Sequence, residues 1–240
     1  MKFVKKILEI IFPSHCLSCE EIVNKDALFC NACWPKLQFI TEPKCKICSY
    51  PFEFQGLELT CAKCLTKPPS FDKAISLFRY NYILKKVVKS FKYYEQTLIA
   101  KKLSKLLISH AQDEINNADI IVAVPLHIKR LRKRKFNQAI ILAKSLISNN
   151  HEIQFFPDFL IRIKNTKPQV ELKKEEREKN LQGAFALNQK YYALIKGKNI
   201  LLIDDVITTG TTLEGCSSIL KKHGAKQVVA LTIAKTALEI

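Results

Sequence analysis

Over residues 71–240, uninterrupted apolar runs alternate with segments in which apolar residues recur every three or four positions. The short runs suit strands buried on both faces, and the periodic segments suit amphipathic helices. Residues 74–80, 120–124, 159–162, 199–204 and 228–233 read as strands. From Leu84 to about Ile108, the apolar positions Leu84, Val87, Val88, Phe91, Leu98, Leu103, Leu106 and Leu107 predict one or two helices. Residues 137–148 predict another, and residues 213–223 a third that Gly224 closes from the C′ position. This rhythm predicts an α/β fold with a parallel sheet covered on both faces and a ligand site at the carboxyl ends of its strands.

The first 70 residues lack such periodicity. Residues 1–12 combine a basic start with an apolar run broken by Glu9, which suits a short amphipathic helix packed on the protein. No small-residue cleavage site follows, so a signal peptide is not expected and the cytoplasm is the expected location. No apolar segment approaches the length of a membrane span. Lys67-Pro68-Pro69-Ser70 reads as a linker, dividing the chain into 1–67 and 71–240. Charge divides in the same way. The net +17 comes from 9 Lys/Arg against 7 Asp/Glu in residues 1–70, and 30 against 15 beyond them. A basic domain favours anionic partners, although a lysine-rich composition alone gives the same number.

Cysteine explains the missing periodicity. Eight of nine form four C-x-x-C pairs: Cys16/Cys19, Cys30/Cys33, Cys45/Cys48 and Cys61/Cys64. A C-x-x-C turn aims two thiolates at one ion, and two turns complete tetrahedral zinc. A disulfide framework needs an oxidising compartment, for which the sequence offers no signal. Two structural Zn²⁺ ions are therefore expected, with sequential and cross-braced pairings both open. Four thiolates leave neither a vacancy for His15 nor an open position for catalysis. Cys216 falls on an apolar helical face with Leu213 and Leu220 and reads as core.

The densest chemistry lies in residues 201–212. An apolar run ends in Asp204 and Asp205, and a turn of Thr208, Thr209, Gly210, Thr211 and Thr212 opens into a helix. Neighbouring carboxylates at a strand end can address two ribose hydroxyls. A hydroxyl-rich turn at a helix N-terminus presents amides and a dipole to a phosphate. A phosphorylated ribose fits both, whereas the plain alternative is a capped strand-to-helix connection.

Two further stretches are strongly basic. Pro125, Leu126 and His127 follow a buried strand and lead into Lys129, Arg130, Arg132, Lys133, Arg134 and Lys135. Such like charge suits a pyrophosphate or a nucleic-acid backbone, and it also suits a solvated helix start. Arg162, Lys164, Lys167 and Gln169 lie in a long polar connection that reads as a mobile basic lid over a leaving group.

The Asp204–Thr212 stretch resembles the 5-phosphoribosyl-1-pyrophosphate (PRPP) motif of type I phosphoribosyltransferases. The series of four C-x-x-C turns, Phe78-Arg79-Tyr80, Val124-Pro125-Leu126, Arg132 to Gln138, Thr166-Lys167-Pro168-Gln169 and Asp204-Asp205 resembles the ComF family across essentially the whole chain. Lys135 departs from that pattern, where the family usually has Gly. The resemblance implies a Rossmann-like parallel sheet of the type I phosphoribosyltransferase fold, preceded by a small Cys-rich zinc-ribbon domain. It further implies PRPP held by Asp204 and Asp205, directly or beside Mg²⁺, with its 5′-phosphate on Thr208–Thr212. Pyrophosphate would meet Pro125–His127 under the Arg162–Gln169 lid. Family members are associated with uptake of transforming DNA, which brings in single-stranded DNA and a competence helicase-type partner. Phosphoribosyl transfer to an undisclosed acceptor and non-catalytic DNA handling both remain open. No residue declares itself as a general base.

Overall fold

The structure, a computed structural model, describes residues 13–25, 27–54, 56, 59–93, 96–147, 152–164 and 181–236. The helix expected in residues 1–12 lies outside the described residues. Five parallel strands form the central sheet in the order β3-β9-β8-β4-β5. They are β3 (Lys73–Arg79), β4 (Ile120–Ala123), β5 (Gln154–Phe155), β8 (Asn199–Ile207) and β9 (Gln227–Lys235). Parallel neighbours need crossovers, and the helices supply them: α2 (Tyr82–Tyr93), α3 (Gln96–His110), α4 (Gln112–Asn116), α5 (Ile128–Arg134), α6 (Gln138–Leu146) and α7 (Thr211–Lys222).

Alternating strand residues sort into two cores. Ile121, Leu201, Ile203, Leu231 and Ile233 pack with Leu84 and Phe91 of α2, Leu103 and Leu107 of α3, and Leu142 of α6. Ile120, Val122, Leu202, Val228 and Ala230 pack with Leu213, Cys216 and Leu220 of α7. Both sets are buried, which is why the strands read as continuous apolar runs.

The expected strand at 159–162 exists as β6 (Leu160–Arg162), but it is not in the central sheet. It pairs antiparallel with β7 (Phe185–Leu187) in a separate ribbon beside α7. Neither β5 nor β7 was legible, since two or three residues carry no period. Strand β8 extends three residues past the predicted end at Asp204. Asp204, Val206 and Ile207 stay paired with Thr232, Ala234 and Lys235 of β9, whereas pairing with β4 stops at Ala123↔Ile203. The sheet therefore opens between β4 and β8 where the carboxylates lie.

The Cys-rich segment contains β1 (Ser14–His15), β2 (Ile22–Val23) and α1 (Ala62–Thr66), and it packs onto the β3 edge. Phe39 forms an antiparallel bridge with Phe78, the Ile40 N–H donates to Leu77 O, and the Arg79 N–H donates to Gln38 O. Covering an edge strand satisfies its backbone and blocks intermolecular pairing. Cys16, Cys30 and Cys33 join one core cluster, and Cys45, Cys48, Cys61 and Cys64 join the other. Each group of cysteines thus shares the apolar core of a different sheet face.

Candidate functional site

Two sequential four-cysteine clusters are present, one of Cys16, Cys19, Cys30 and Cys33 and one of Cys45, Cys48, Cys61 and Cys64, with each set of sulfurs within 4.8 Å of one another. The sulfurs of Cys19 and Cys30 are 3.5 Å apart, and those of Cys48 and Cys61 are 3.7 Å apart. Tetrahedral zinc with bonds of about 2.3 Å needs sulfur separations near 3.8 Å, so the donors fit structural zinc. The clusters repeat one backbone design. Glu20 and Ser49, each just after a C-x-x-C turn, adopt φ of 66° and 57°. Their N–H groups donate to Cys16 O and Cys45 O, while the N–H groups of Cys16 and Cys45 donate to Glu21 O and Tyr50 O. His15 is engaged elsewhere, its Nδ1 lying 2.7 Å from Glu20 O.

The second centre lies at the carboxyl ends of the strands. Asp204 and Asp205 are half-buried, and the Asp205 N–H donates to Asp204 Oδ1 at 2.8 Å. A few residues on, Gly210 caps α7 at φ 81° and ψ −2°. This left-handed geometry costs glycine little, and it lets the chain turn directly from strand into helix. The Thr209 and Thr211 hydroxyls are 2.7 Å apart. Thr236, just after β9, braces the turn by donating its N–H to Ile207 O at 2.9 Å.

Pro125 and His127 are buried and Leu126 is half-buried. His127 caps α5, with Nδ1 accepting from the Lys129 N–H at 3.3 Å. Burial, followed by Arg162, Lys129 and Arg130, holds its imidazole below the ordinary value. A neutral ring accepting at Nδ1 carries its proton on Nε2. The basic run from Lys129 to Arg134 lies on α5 and not on an open loop. Arg and Lys are good helix formers, so a capped start suffices without an apolar period. Lys129 and Arg132 are exposed, and Arg130 and Arg134 are half-buried. Lys135 terminates the helix in the left-handed region at φ 66°. The buried Asn137 then fixes the connection. Its Nδ2 donates to Val124 O at 2.9 Å, and its Oδ1 accepts from the Ala139 N–H at 3.0 Å.

Arg162 connects the separate blocks. Its guanidinium lies 5.3 Å from the Phe185 ring centre. Burial and then Arg130 push it down to about 10, while Cys216 and Asp204 act in the opposite direction. Asp204, His127, Arg130 and Arg162 thus share one electrostatic environment, although they lie in three distant stretches of sequence. Lys164 is exposed and donates to Gln182 O at 2.8 Å. Lys167 and Gln169 lie outside the described residues, as does the Lys133 side chain. Cys216 is fully buried in the core, and burial pushes its thiol well above the ordinary value.

A cleft of about 1200 Å³ opens between the second cysteine cluster and the Thr208–Thr211 turn. Tyr50, Phe52 and Phe54 form one wall, Leu181–Phe185 contribute to another, and Lys63, Lys67, Arg79 and Lys235 bring positive charge. Ring centres are 5.7 Å apart for Tyr50–Phe52 and 5.0 Å for Phe52–Phe54. Lys63 donates to Thr209 O. Ser70 gives both its N–H (2.7 Å) and its hydroxyl (2.5 Å) to the Glu214 carboxylate at the start of α7. Apart from the Thr208–Thr211 turn and the cysteines, these cleft residues were not among the predicted site residues. The one available signal was Lys235, a charge ending an otherwise apolar strand and buried to 5% exposure.

Residues 7–65 match the double zinc ribbon domain model, and residues 138–237 match the phosphoribosyl transferase domain model. Fold and site together define a phosphoribosyltransferase-domain protein carrying an N-terminal double zinc ribbon. Competence protein F of Haemophilus influenzae is 29% identical over 235 residues, covering 93% of this chain and 98% of its own. DNA utilization protein YhgH of Escherichia coli K12 is 30% identical over 197 residues, covering 80% and 84%. Competence protein ComFC of Bacillus subtilis is 28% identical over 241 residues, covering 92% and 95%. The chain belongs to the ComF family of competence and DNA-utilization proteins. Among the described residues no helix is long and apolar enough to cross a membrane.

Proposed function

We propose that this protein binds PRPP and transfers its phosphoribosyl group to an acceptor in the cleft beside the phosphate turn. The observation carrying this reading is the opening of the sheet between β4 and β8, which sets the Pro125–His127 connection beside Asp204 and Asp205 at the entrance to the Gly210 turn. Asp204 and Asp205 hold the ribose hydroxyls, directly or beside Mg²⁺, and Thr208, Thr209, Gly210, Thr211 and Thr212 cradle the 5′-phosphate. Pro125, Leu126 and His127 border the pyrophosphate, where the Nε2 proton of a neutral His127 can be donated. Arg162 is fixed on β6 and not on a mobile lid; it turns its charge toward the leaving group, and Lys164, Lys167 and Gln169 of the basic segment that follows would close over it. Displacement at the anomeric carbon then rests on positioning and on cations that stabilise departing charge. Ribbon (1–67) and transferase domain (71–240) act as one cytoplasmic unit, since the acceptor cleft needs walls from both.

Calorimetric titration with PRPP, with and without Mg²⁺, tests the reading. Wild type should bind, and Asp204→Ala with Asp205→Ala should abolish most of the affinity. Equal affinity in both would remove these residues from the site.

A second reading has its own support in the exposed Lys129 and Arg132 on α5, a cationic face beside the site. That face would hold single-stranded DNA and could present it to a competence helicase-type partner. Affinity should then fall steeply with salt as counterion release weakens, and Arg132→Glu with Arg134→Glu should weaken gel-shift binding. Unchanged shifts at moderate salt would sink this assignment.

A further inference from the structure

We infer that Lys63, carried by the second zinc ribbon, is a positioning residue for the phosphate turn, so that zinc at Cys45/Cys48/Cys61/Cys64 sets the geometry of that turn. The inference rests on the reading of Thr208–Thr212 as the 5′-phosphate cradle. Lys63 lies between two ligands of one cluster, Cys61 and Cys64, on the single helical turn α1 that Cys61 begins. A helix this short holds its shape through the metal that anchors it. From there Lys63 reaches 146 residues along the chain to the carbonyl of Thr209.

The choice of a carbonyl decides what the contact does. A trans peptide is planar with its C=O and N–H on opposite sides, so fixing the Thr209 carbonyl also fixes the direction of the Gly210 N–H. That amide opens the turn into α7, and Gly210, in the left-handed region with open space where a Cβ would be, offers little resistance to a peptide flip. Without Lys63 the carbonyl can rotate toward the anion site, where it would repel a phosphate. A second link runs in parallel, because Ser70 holds Glu214 in the first turn of α7. The first ribbon also bonds to the body, through Lys102 to Ala27 O at 2.7 Å and Lys86 to Ser18 O at 2.8 Å. Those bonds lie on helices of the opposite core and do not reach the turn. Zinc in the two ribbons is therefore unequal in its effect on the site.

The test compares zinc-loaded wild type with Lys63→Met, Lys63→Arg and the control Lys102→Met. Metal content, hydrogen exchange at residues 208–212 and PRPP titration are measured on each. All should retain two zinc ions. Lys63→Met should exchange faster at residues 208–212 and bind PRPP on the order of tenfold more weakly, the scale of one lost charge-assisted hydrogen bond. Lys63→Arg should recover most of both, and Lys102→Met should match wild type. Wild-type exchange in zinc-replete Lys63→Met overturns the inference, as does an equal effect from Lys102→Met. If wild type fails to bind PRPP, the functional reading falls, and exchange at the turn still decides whether Lys63 holds it.

Discussion

Lys135 offers a direct test of backbone reasoning at the edge of the site. It ends α5 at φ 66° and ψ −9°, and its N–H donates to Leu131 O at 2.7 Å, closing the last turn. A residue with a Cβ in this left-handed geometry costs roughly 1–2 kcal/mol, and glycine avoids that cost. Glycine in turn loses roughly 0.5–1 kcal/mol more backbone entropy on folding. Lys135→Gly should therefore stabilise the protein by roughly 0.5–1 kcal/mol, a rise in melting temperature of roughly 1–4 °C for a chain of this size. The substitution also removes one charge from a crowded basic run, which could stabilise by itself. Lys135→Ala separates the two effects, since it discharges the position but keeps the Cβ. Scanning calorimetry of the zinc-loaded variants in one buffer measures both. A gain with Gly that is absent with Ala supports the backbone account. Equal gains would assign the effect to charge, and no gain from Gly would refute the reasoning outright.

Sequential clusters predict independent zinc loss, so Cys30→Ser and Cys61→Ser should each lower bound metal by one ion per chain, as read by elemental analysis. The buried Ser76 and Thr232 hydroxyls lie 2.8 Å apart between β3 and β9. Thr232→Val alone should cost about 1–3 kcal/mol in urea unfolding, and the double variant with Ser76→Ala should cost less. Asp119 is held below the ordinary carboxylate value by the Asn199 N–H at 2.7 Å and then by Lys198. A depressed folded-state value gives stability that is present above about pH 3.9 and lost as pH falls through the folded value. The unfolding midpoints of wild type and Asp119→Asn should accordingly converge on acidification. A gap that stays constant from about pH 6 to about pH 3 would refute the linkage.

Period and composition made the sheet legible because its strands are buried on both faces and its longer helices on one. Strands β5 and β7 escaped because two or three residues are too few for a pattern, and β6 was read as a strand but not as part of a separate ribbon, since its partner is set by tertiary neighbours such as Phe159 and Tyr191, whose rings lie 5.0 Å apart. The helix at 128–134 was legible only as one of two readings of the basic run, because its cap is a histidine and its cationic face carries no apolar period. The carboxylates and the Thr-rich turn were legible from local order alone. Arg162 was readable only as one cation in a basic connection, because its approach to Asp204 depends on how β6 docks against α7.

Zinc was legible from spacing, whereas the choice between sequential and cross-braced pairing was not, since either satisfies four thiolates per ion. The structure supplies a physical reason for the sequential arrangement. The clusters occupy the cores of opposite sheet faces, so a cross-braced pair would have to draw ligands around the β3 edge that residues 38–40 cover. This placement also changes what the metal holds together. A free-standing ribbon needs zinc because it has no core of its own. Here the sulfurs complete cores that the sheet begins, and the cleft beside Thr208–Thr211 has Cys48, Cys61 and Cys64 in its wall. A segment that the sequence divides off at Lys67-Pro68-Pro69-Ser70 therefore forms one side of the cleft, with three cysteines of a cluster that fits structural zinc in its wall.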